Sequence, residues 1–354
     1  MGDFKGKHLI IRADASTQIG SGHLMRCLAL AQAWKDAGGK TIFITACQSE
    51  GLLQRLRDEG IDIHLLSHPH PDSADWTYTK NVLDKCPDAW VVLDGYHFDE
   101  IYQRCVKEVG HRLLVIDDMA HLKHYYADIV LNQNLHGEKL HYSCEPYTRL
   151  LLGANYVLLR REFLDWKDWK REIPVTARRV LVTLGGSDPE NFTFKVIQAL
   201  QEVKVPGLEA TVVIGASNPH VDTLEAAVRQ SRIPIRLICD AKNMPELMAW
   251  ADVAVSAAGS TVWELMFMRI ASLFLIVVDN QLFGAKLLKK FSTTMEISVP
   301  WNQTLFIECL TGLLTDTKLR EEMHKFGRIK VDGSGSSRVI ATIRSYSRVS
   351  LTNS

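Results

Sequence analysis

From Ile10 to Arg26 the chain reads Ile10-Ile11-Arg12-Ala13-Asp14-Ala15-Ser16-Thr17-Gln18-Ile19-Gly20-Ser21-Gly22-His23-Leu24-Met25-Arg26. An apolar run gives way to charged and hydroxyl residues, crosses two glycines and delivers a histidine to the start of an alanine- and leucine-rich segment. That order is a strand, a loop and a helix. Junctions of this kind at the ends of parallel strands hold anions and reactive groups. A histidine there can move protons near neutral pH. Asp14 is the expected orienting partner of His23, with Gly22 in the same loop. Arg12 and Arg26 are expected to offset negative charge on a ligand. Two further carboxylate positions follow apolar runs directly, Asp94 (before Gly95-Tyr96) and Asp117-Asp118. Parallel sheets place their ligand loops at such positions.

The second half carries its own candidate loop, Ser256-Ala257-Ala258-Gly259-Ser260-Thr261-Val262-Trp263-Glu264. Small residues let backbone approach a ligand, and Ser260 or Thr261 can cap the following helix while offering amides and hydroxyls to phosphate. Glu264 lies one turn further on, where its carboxylate suits a sugar diol better than a phosphate. The same residues also read as a plain helix cap with a first-turn acid. Asp279-Asn280-Gln281 follows another apolar run and reads either as a ligand loop through Asn280 and Gln281 or as a turn. Gly185-Gly186-Ser187 opens a third loop.

Several chemistries lack their signatures. There is no Ser-centred nucleophile elbow, no HExxH, and no compact three-ligand metal spacing, so no metal is expected. Gly20-Ser21-Gly22 is too short for a dinucleotide fingerprint, and Gly185-Gly186-Ser187 lacks the Gly-Lys-Ser/Thr ending of a phosphate-binding P-loop.

The elements that must position these residues alternate. Strands are expected at His8–Arg12, Thr41–Ala46, Ile61–Leu65, Ala89–Leu93, Arg112–Ile116 and Ile129–Leu131, with helices at Leu24–Ala37, Gly51–Glu59, Thr77–Cys86 and Ile101–Val109. A second alternating series begins at Arg179, with strands at Glu209–Ile214, Ile235–Ile238 and Val253–Val255 and helices at Phe192–Leu200, Asp222–Gln230 and Met244–Ala249. Short apolar runs joined by helices predict parallel, helix-covered sheets. The expected class is α/β, with two Rossmann-like domains facing across a cleft. The expected boundaries are residues 1–165, a linker at 166–178, a second domain at 179–338, and a helical tail at 339–354 packing back on the first domain.

At 354 residues the chain accommodates two such cores. Lys plus Arg and Asp plus Glu both number 41, so no global basic field points to nucleic acid. The first residues show no signal-peptide pattern, and the greasiest run, residues 270–278, is far too short to span a bilayer. Seven cysteines without CxxC spacing fit a reducing cytoplasm.

The ordered set of motifs resembles the UDP-sugar hydrolases of pseudaminic acid biosynthesis, relatives of the two-domain GT-B glycosyltransferases. The resemblance rests on Arg12-x-Asp14-x-Ser16-x-x-Ile19-Gly20-x-Gly22-His23-x-x-Arg26, Leu93-Asp94-Gly95-Tyr96, Asp117-Asp118 and Asn132-Gln133-Asn134. It continues with Leu184-Gly185-Gly186-Ser187-Asp188-Pro189, Ala258-Gly259-Ser260-Thr261-x-x-Glu264, Asn280-Gln281 and Val331-Asp332-Gly333-x-Gly335-x-x-Arg338. It implies hydrolysis of UDP-2,4-diacetamido-2,4,6-trideoxy-β-L-altropyranose with inversion at the anomeric carbon, without metal or cofactor; the chain is expected to be mainly a monomer. His23 matches the family's catalytic histidine. Tyr96 and Asp94 would contact the sugar side, Gly259, Ser260 and Thr261 the diphosphate, Glu264 the uridine ribose, and Asn280 and Gln281 the sugar or phosphate. The chain departs from the family pattern at Arg269-Ile270-Ala271-Ser272-Leu273, which lacks a small-residue/Pro turn, and at Phe291-Ser292-Thr293-Thr294, which lacks a glycine-centred one. Alternatives are a GT-B glycosyltransferase in which His23 activates an acceptor hydroxyl, a hydrolysing UDP-sugar epimerase, and a catalytically silent nucleotide-sugar-binding protein.

Overall fold

The computed structural model describes residues 4–16, 19–276, 293–296 and 301–352. Two compact units result, Met1–Arg161 with Gly333–Ser354, and Glu162–Asp332. Residues 166–178 therefore lie inside the second unit, and the first unit takes the chain back at Gly333.

The first unit holds strands β1 (His8–Ala13), β2 (Lys40–Thr45), β3 (Asp62–Leu65), β4 (Trp90–Asp94), β5 (Arg112–Ile116), β6 (Ile129–Asn132) and β7 (Arg149–Leu152). They form one sheet in the order β3-β2-β1-β4-β5-β6-β7, and every pairing is parallel. Helices α1 (Gly22–Asp36), α2 (Glu50–Asp58), α3 (Ser73–Leu83) and α4 (Glu100–Glu108) connect them. β7 is absent from the sequence expectation because Arg149-Leu150-Leu151-Leu152 is a four-residue run with no alternation. α3 starts at Ser73 rather than Thr77 because the Asp72 side chain caps it, accepting the Ala74 N–H at 2.7 Å.

Side-chain alternation sorts β1, β4 and β5 onto two faces. Leu9, Ile11, Ala13, Trp90, Val92, Leu114 and Ile116 enter one core with Leu24, Leu28 and Trp34 of α1. Ile10, Val91, Leu93, Leu113 and Val115 enter another with Tyr102 and Val106 of α4. α1 is apolar on more than one side because the late helix described below also packs on it; Val339, Ile340 and Ile343 share its core.

The second unit opens with the short helix α5 (Arg161–Leu164), which begins on the last residue of the first. It contains β8 (Arg179–Thr183), β9 (Glu209–Ile214), β10 (Ile235–Cys239), β11 (Val253–Ala257), β12 (Ala271–Ile276) and β13 (Thr293–Glu296), in the order β10-β9-β8-β11-β12-β13 and all parallel. Helices α6 (Phe192–Leu200), α7 (Val221–Arg229), α8 (Met244–Trp250) and α9 (Thr261–Phe267) follow its strands, with α10 (Gln303–Thr315) and α11 (Thr317–Lys330) later. α12 (Gly335–Thr352) returns to the first unit. In both sheets the chain reverses its direction of travel beside the first strand, at β1/β4 and β8/β11. Such switch points open a crevice beyond the strand carboxyl ends. No helix among the described residues is long and apolar enough to cross a membrane.

Candidate active site

α1 begins immediately after the Gly20–Gly22 loop, and helical spacing puts His23, Arg26 and Cys27 on one side of its first turns. All three converge on Asp94, the last residue of β4. His23 Nδ1 lies 2.6 Å from Asp94 Oδ1, Arg26 Nη2 2.6 Å from the same oxygen, Arg26 Nε 2.6 Å from Oδ2, and the Cys27 thiol 3.3 Å from Oδ2. Asp94 is fully buried. Burial alone would raise its carboxyl, but the Arg26 and His23 partners hold it well below the usual carboxylate range. An ionised carboxylate only accepts, so the short contact is an Nδ1–H donating to Asp94, and in the neutral tautomer this bond selects, the lone pair is on Nε2.

Arg26 extends the cluster sideways. Its Nη1 donates to Asp118 Oδ2 at 2.7 Å, and Asp118 also accepts from the Tyr96 hydroxyl at 2.8 Å and Asn134 Nδ2 at 2.6 Å. The Tyr96 ring meets His23 edge-on with centroids 5.2 Å apart. Burial, and then the Asp118 charge, push the Tyr96 hydroxyl well above its ordinary range, so it stays a donor. His23, Tyr96, Arg26 and two carboxylates thus occupy the carboxyl ends of β4 and β5.

Asp14 is not among them. It accepts from Arg12 Nη1 at 2.6 Å and the Ala46 N–H at 2.7 Å, and lies 3.0 Å from His97 Nε2. The expectation that Asp14 orients His23 is therefore corrected: Asp94 makes that contact. Strand parity is the reason, because Asp14 continues the Ile10–Arg12 face while α1 covers the Leu9–Ile11 face. Arg12 is also corrected from a ligand contact to an interior residue. It is fully buried, donating to Asp75 Oδ2 from Nε at 3.0 Å and Nη2 at 2.6 Å. Asp94 likewise stands behind His23, with no exposed surface to offer a sugar.

Parity accounts for the neighbouring pairs. Asp117 faces the opposite core, where it bonds His121 Nδ1 and accepts from the Tyr125 hydroxyl at 2.7 Å. Asp118, one residue on, faces α1 and Arg26. The sequence marks Asp117-Asp118 as a strand-end pair, but nothing local assigns Arg26 to one of them. His97 and Asp75 carried no sequence signal of their own, and Asn134 only its place in the Asn132-Gln133-Asn134 motif.

In the second unit Gly185 follows β8 with φ +99° and is exposed. Asp188 closes the next helix start, accepting from the Phe192 N–H at 2.9 Å and the Thr193 N–H at 2.8 Å. A carboxylate already sits at the start of α6. Behind this loop, a Cβ on Gly215 would fall 2.3 Å from the Gly186 carbonyl oxygen, so that strand end tolerates only glycine. Gly259 is exposed after β11, and Ser260, Thr261 and Glu264 are half-buried along the start of α9. Ser260 is the N-cap but makes no side-chain cap bond. Asn280 and Gln281 lie outside the described residues, as do positions 291 and 292. Among the described residues, no three His, Cys, Asp or Glu side chains gather as a metal site.

Solved structures of this fold are numerous. S. aureus MnaA, in a co-structure with UDP, superposes with a TM-score of 0.68 at 14% identity over 97% of each chain. Acinetobacter baumannii MurG gives 0.66 at 17% identity over 96% of this chain and 99% of MurG. The fold is GT-B. Among sequence relatives of this GT-B chain, the spore coat polysaccharide biosynthesis protein SpsG of Bacillus subtilis is 25% identical over 95% of the chain and 98% of SpsG. The UDP-2,4-diacetamido-2,4,6-trideoxy-β-L-altropyranose hydrolase of Campylobacter jejuni is 26% identical over 77% of the chain and 93% of the hydrolase. The chain also matches MJ1062 of Methanocaldococcus jannaschii at 27% identity, spanning 56% of that protein's length. No family model matches the chain. The GT-B chain is thus a distant relative of the altropyranose hydrolases.

Proposed function

We propose that the chain hydrolyses a UDP-linked deoxy-acetamido sugar, UDP-2,4-diacetamido-2,4,6-trideoxy-β-L-altropyranose in the first instance, at its anomeric C–O bond. The observation that carries this reading is the His23–Asp94 contact. A buried, ionised carboxylate fixes the imidazole at Nδ1 and leaves Nε2 as the base at a strand-end loop. Similarity to the Campylobacter jejuni hydrolase supports the substrate class.

In this reading His23 Nε2 takes a proton from water as the water oxygen bonds to C1 on the face opposite UDP. The C1–O bond breaks as the new bond forms, and its electron pair leaves with the β-phosphate, inverting the anomeric configuration. Arg26 holds Asp94 and Asp118 in register, and Tyr96 borders the imidazole. Gly22 carries the loop into α1. Gly185, Gly259, Ser260 and Thr261 contact the diphosphate and Glu264 the ribose. Asn280 and Gln281 complete the donor side. Amide and hydroxyl donors stabilise a departing diphosphate without proton transfer.

Proton and phosphorus NMR of the purified chain with the UDP-sugar, without acceptor or added metal, tests the reading. The expected result is UDP plus a free sugar that first appears as the inverted anomer with its C2 configuration retained. A sugar altered at C2 would identify an epimerase instead. UDP release only when an acceptor is added would identify a transferase.

A further inference from the structure

The opposite edge of the first unit's sheet, where the strands begin, carries an open cavity of about 490 Å³. That size falls within the range of about 300–1,000 Å³ common for small-molecule sites. Arg112 opens β5 and Arg149 opens β7, on either side of β6, and both belong to the face covered by α12. Both guanidinium groups line this cavity and both contact the Tyr346 ring of α12, with carbons 5.2 Å (Arg112) and 4.7 Å (Arg149) from its centroid. The ring itself is fixed by its hydroxyl, which donates to the Asp128 carbonyl at 2.7 Å.

Charge in this cavity is unbalanced. Lys107 lies 2.5 Å from Asp128 Oδ2, and the same oxygen accepts the Leu113 N–H at 2.7 Å, so the one carboxylate lining the cavity is already engaged. Arg149 donates to the Ser345 hydroxyl at 2.6 Å, a neutral partner. Among the described residues no carboxylate pairs with Arg112 or Arg149. Two guanidinium groups on one ring repel each other unless an anion lies between or beside them. Each presents a planar fork of N–H donors that matches a phosphoryl group.

We propose that this cavity binds a phosphate-bearing anion, with Arg112 and Arg149 as the pair that grips the phosphoryl oxygens. It is a second anion site, remote from His23, and the argument for it does not use the hydrolase reading. Its occupant would tie β5, β7 and α12 together, so binding also stabilises the folded first unit.

The test is isothermal titration of the full chain with inorganic pyrophosphate at constant ionic strength, with UDP left out because its diphosphate would compete for the same arginines. The expected result is a saturable site in the wild type that binds at least tenfold more weakly in the Arg112→Gln/Arg149→Gln double variant. Competition then names the source: displacement by orthophosphate points to a free inorganic anion, and displacement by a sugar phosphate but not orthophosphate points to a metabolite. If the double variant loses its circular dichroism, Arg149→Glu, at an exposed side chain, takes its place. No saturable heat in the wild type, or equal affinity in wild type and variant, overturns the proposal and leaves the arginines as a cation–π support for α12.

Discussion

Two histidine–aspartate pairs stand at the carboxyl ends of neighbouring strands, and they differ in which face of the sheet they belong to. His23 reaches Asp94 from α1, and the Asp94 carboxylate is also clamped by Arg26. His97 folds back over Gly95 to reach Asp14; a Cβ on Gly95 would come 2.5 Å from the His97 ring. The Asp14 carboxylate is shared with Arg12, whose other partner is Asp75. Both carboxylates are buried and held well below the usual range, Asp94 by Arg26 and then His23, Asp14 by His97 and then Arg12, against burial that would raise each. Chemically similar pairs therefore serve different ends. The first points an imidazole out from the helix start, whereas the second ties β1, the residue after β2, and α3 into one interior network.

The sharpest way to break that contrast is His23→Ala, expected to lower turnover by about 10³–10⁴-fold with the fold and UDP affinity retained. Near-normal kcat would end the assignment of His23 as base. Asp94→Asn comes next, with an expected loss of about 10²–10³-fold in kcat and little change in KM, because the imidazole loses the partner that fixes its tautomer. Equal losses for Asp14→Asn would erase the distinction between the two pairs. Instead Asp14→Asn should show its effect in urea unfolding, destabilising the first unit by about 3 kcal/mol through the buried Arg12 it leaves behind. Glu264→Gln should weaken UDP binding about tenfold in a titration and leave His23 chemistry intact; unchanged affinity would remove Glu264 from the ribose.

The smallest effect is expected in acid. Asp14 and Asp94 bind fewer protons folded than unfolded, so their contribution is fully present above the unfolded carboxylate range, near pH 4, and is lost as pH falls below it. Chemical denaturation from pH 6 downward should show stability falling, with a shallower fall in Asp14→Asn than in the wild type. Identical acid limbs would mean that the Asp14 carboxylate is not held low.

Most of the framework was legible because it rests on local pattern: apolar runs of three to six residues separated by helical stretches read as parallel strands, and Asp94, Asp117 and Asp118 fell where those strands end. The partner of His23 was less accessible. Nearness in sequence favours Asp14, nine residues away, over Asp94, at seventy-one. Alternation along β1 and β4 favours Asp94, since Trp90, Val92 and Asp94 share a face with Leu9, Ile11 and α1. Reading parity through the strand end would have chosen correctly. No comparable rule reaches Arg12–Asp75, which depends on how α3 lies across the sheet. Nor does any local signal give the join of Tyr346 to Arg112 and Arg149, which requires α12 to cross back after the second unit.

That return crossing bears on how the protein is made. The second unit is an insertion in the first, and the core around Leu9, Ile11, Leu28 and Trp34 is closed by Val339, Ile340 and Ile343. While a ribosome is still translating residues 162–332, the second unit can fold as it emerges, but the first keeps a seam of bare aliphatic side chains along α1 and β1. Of the two units, the one whose synthesis starts first is thus the last to be sealed.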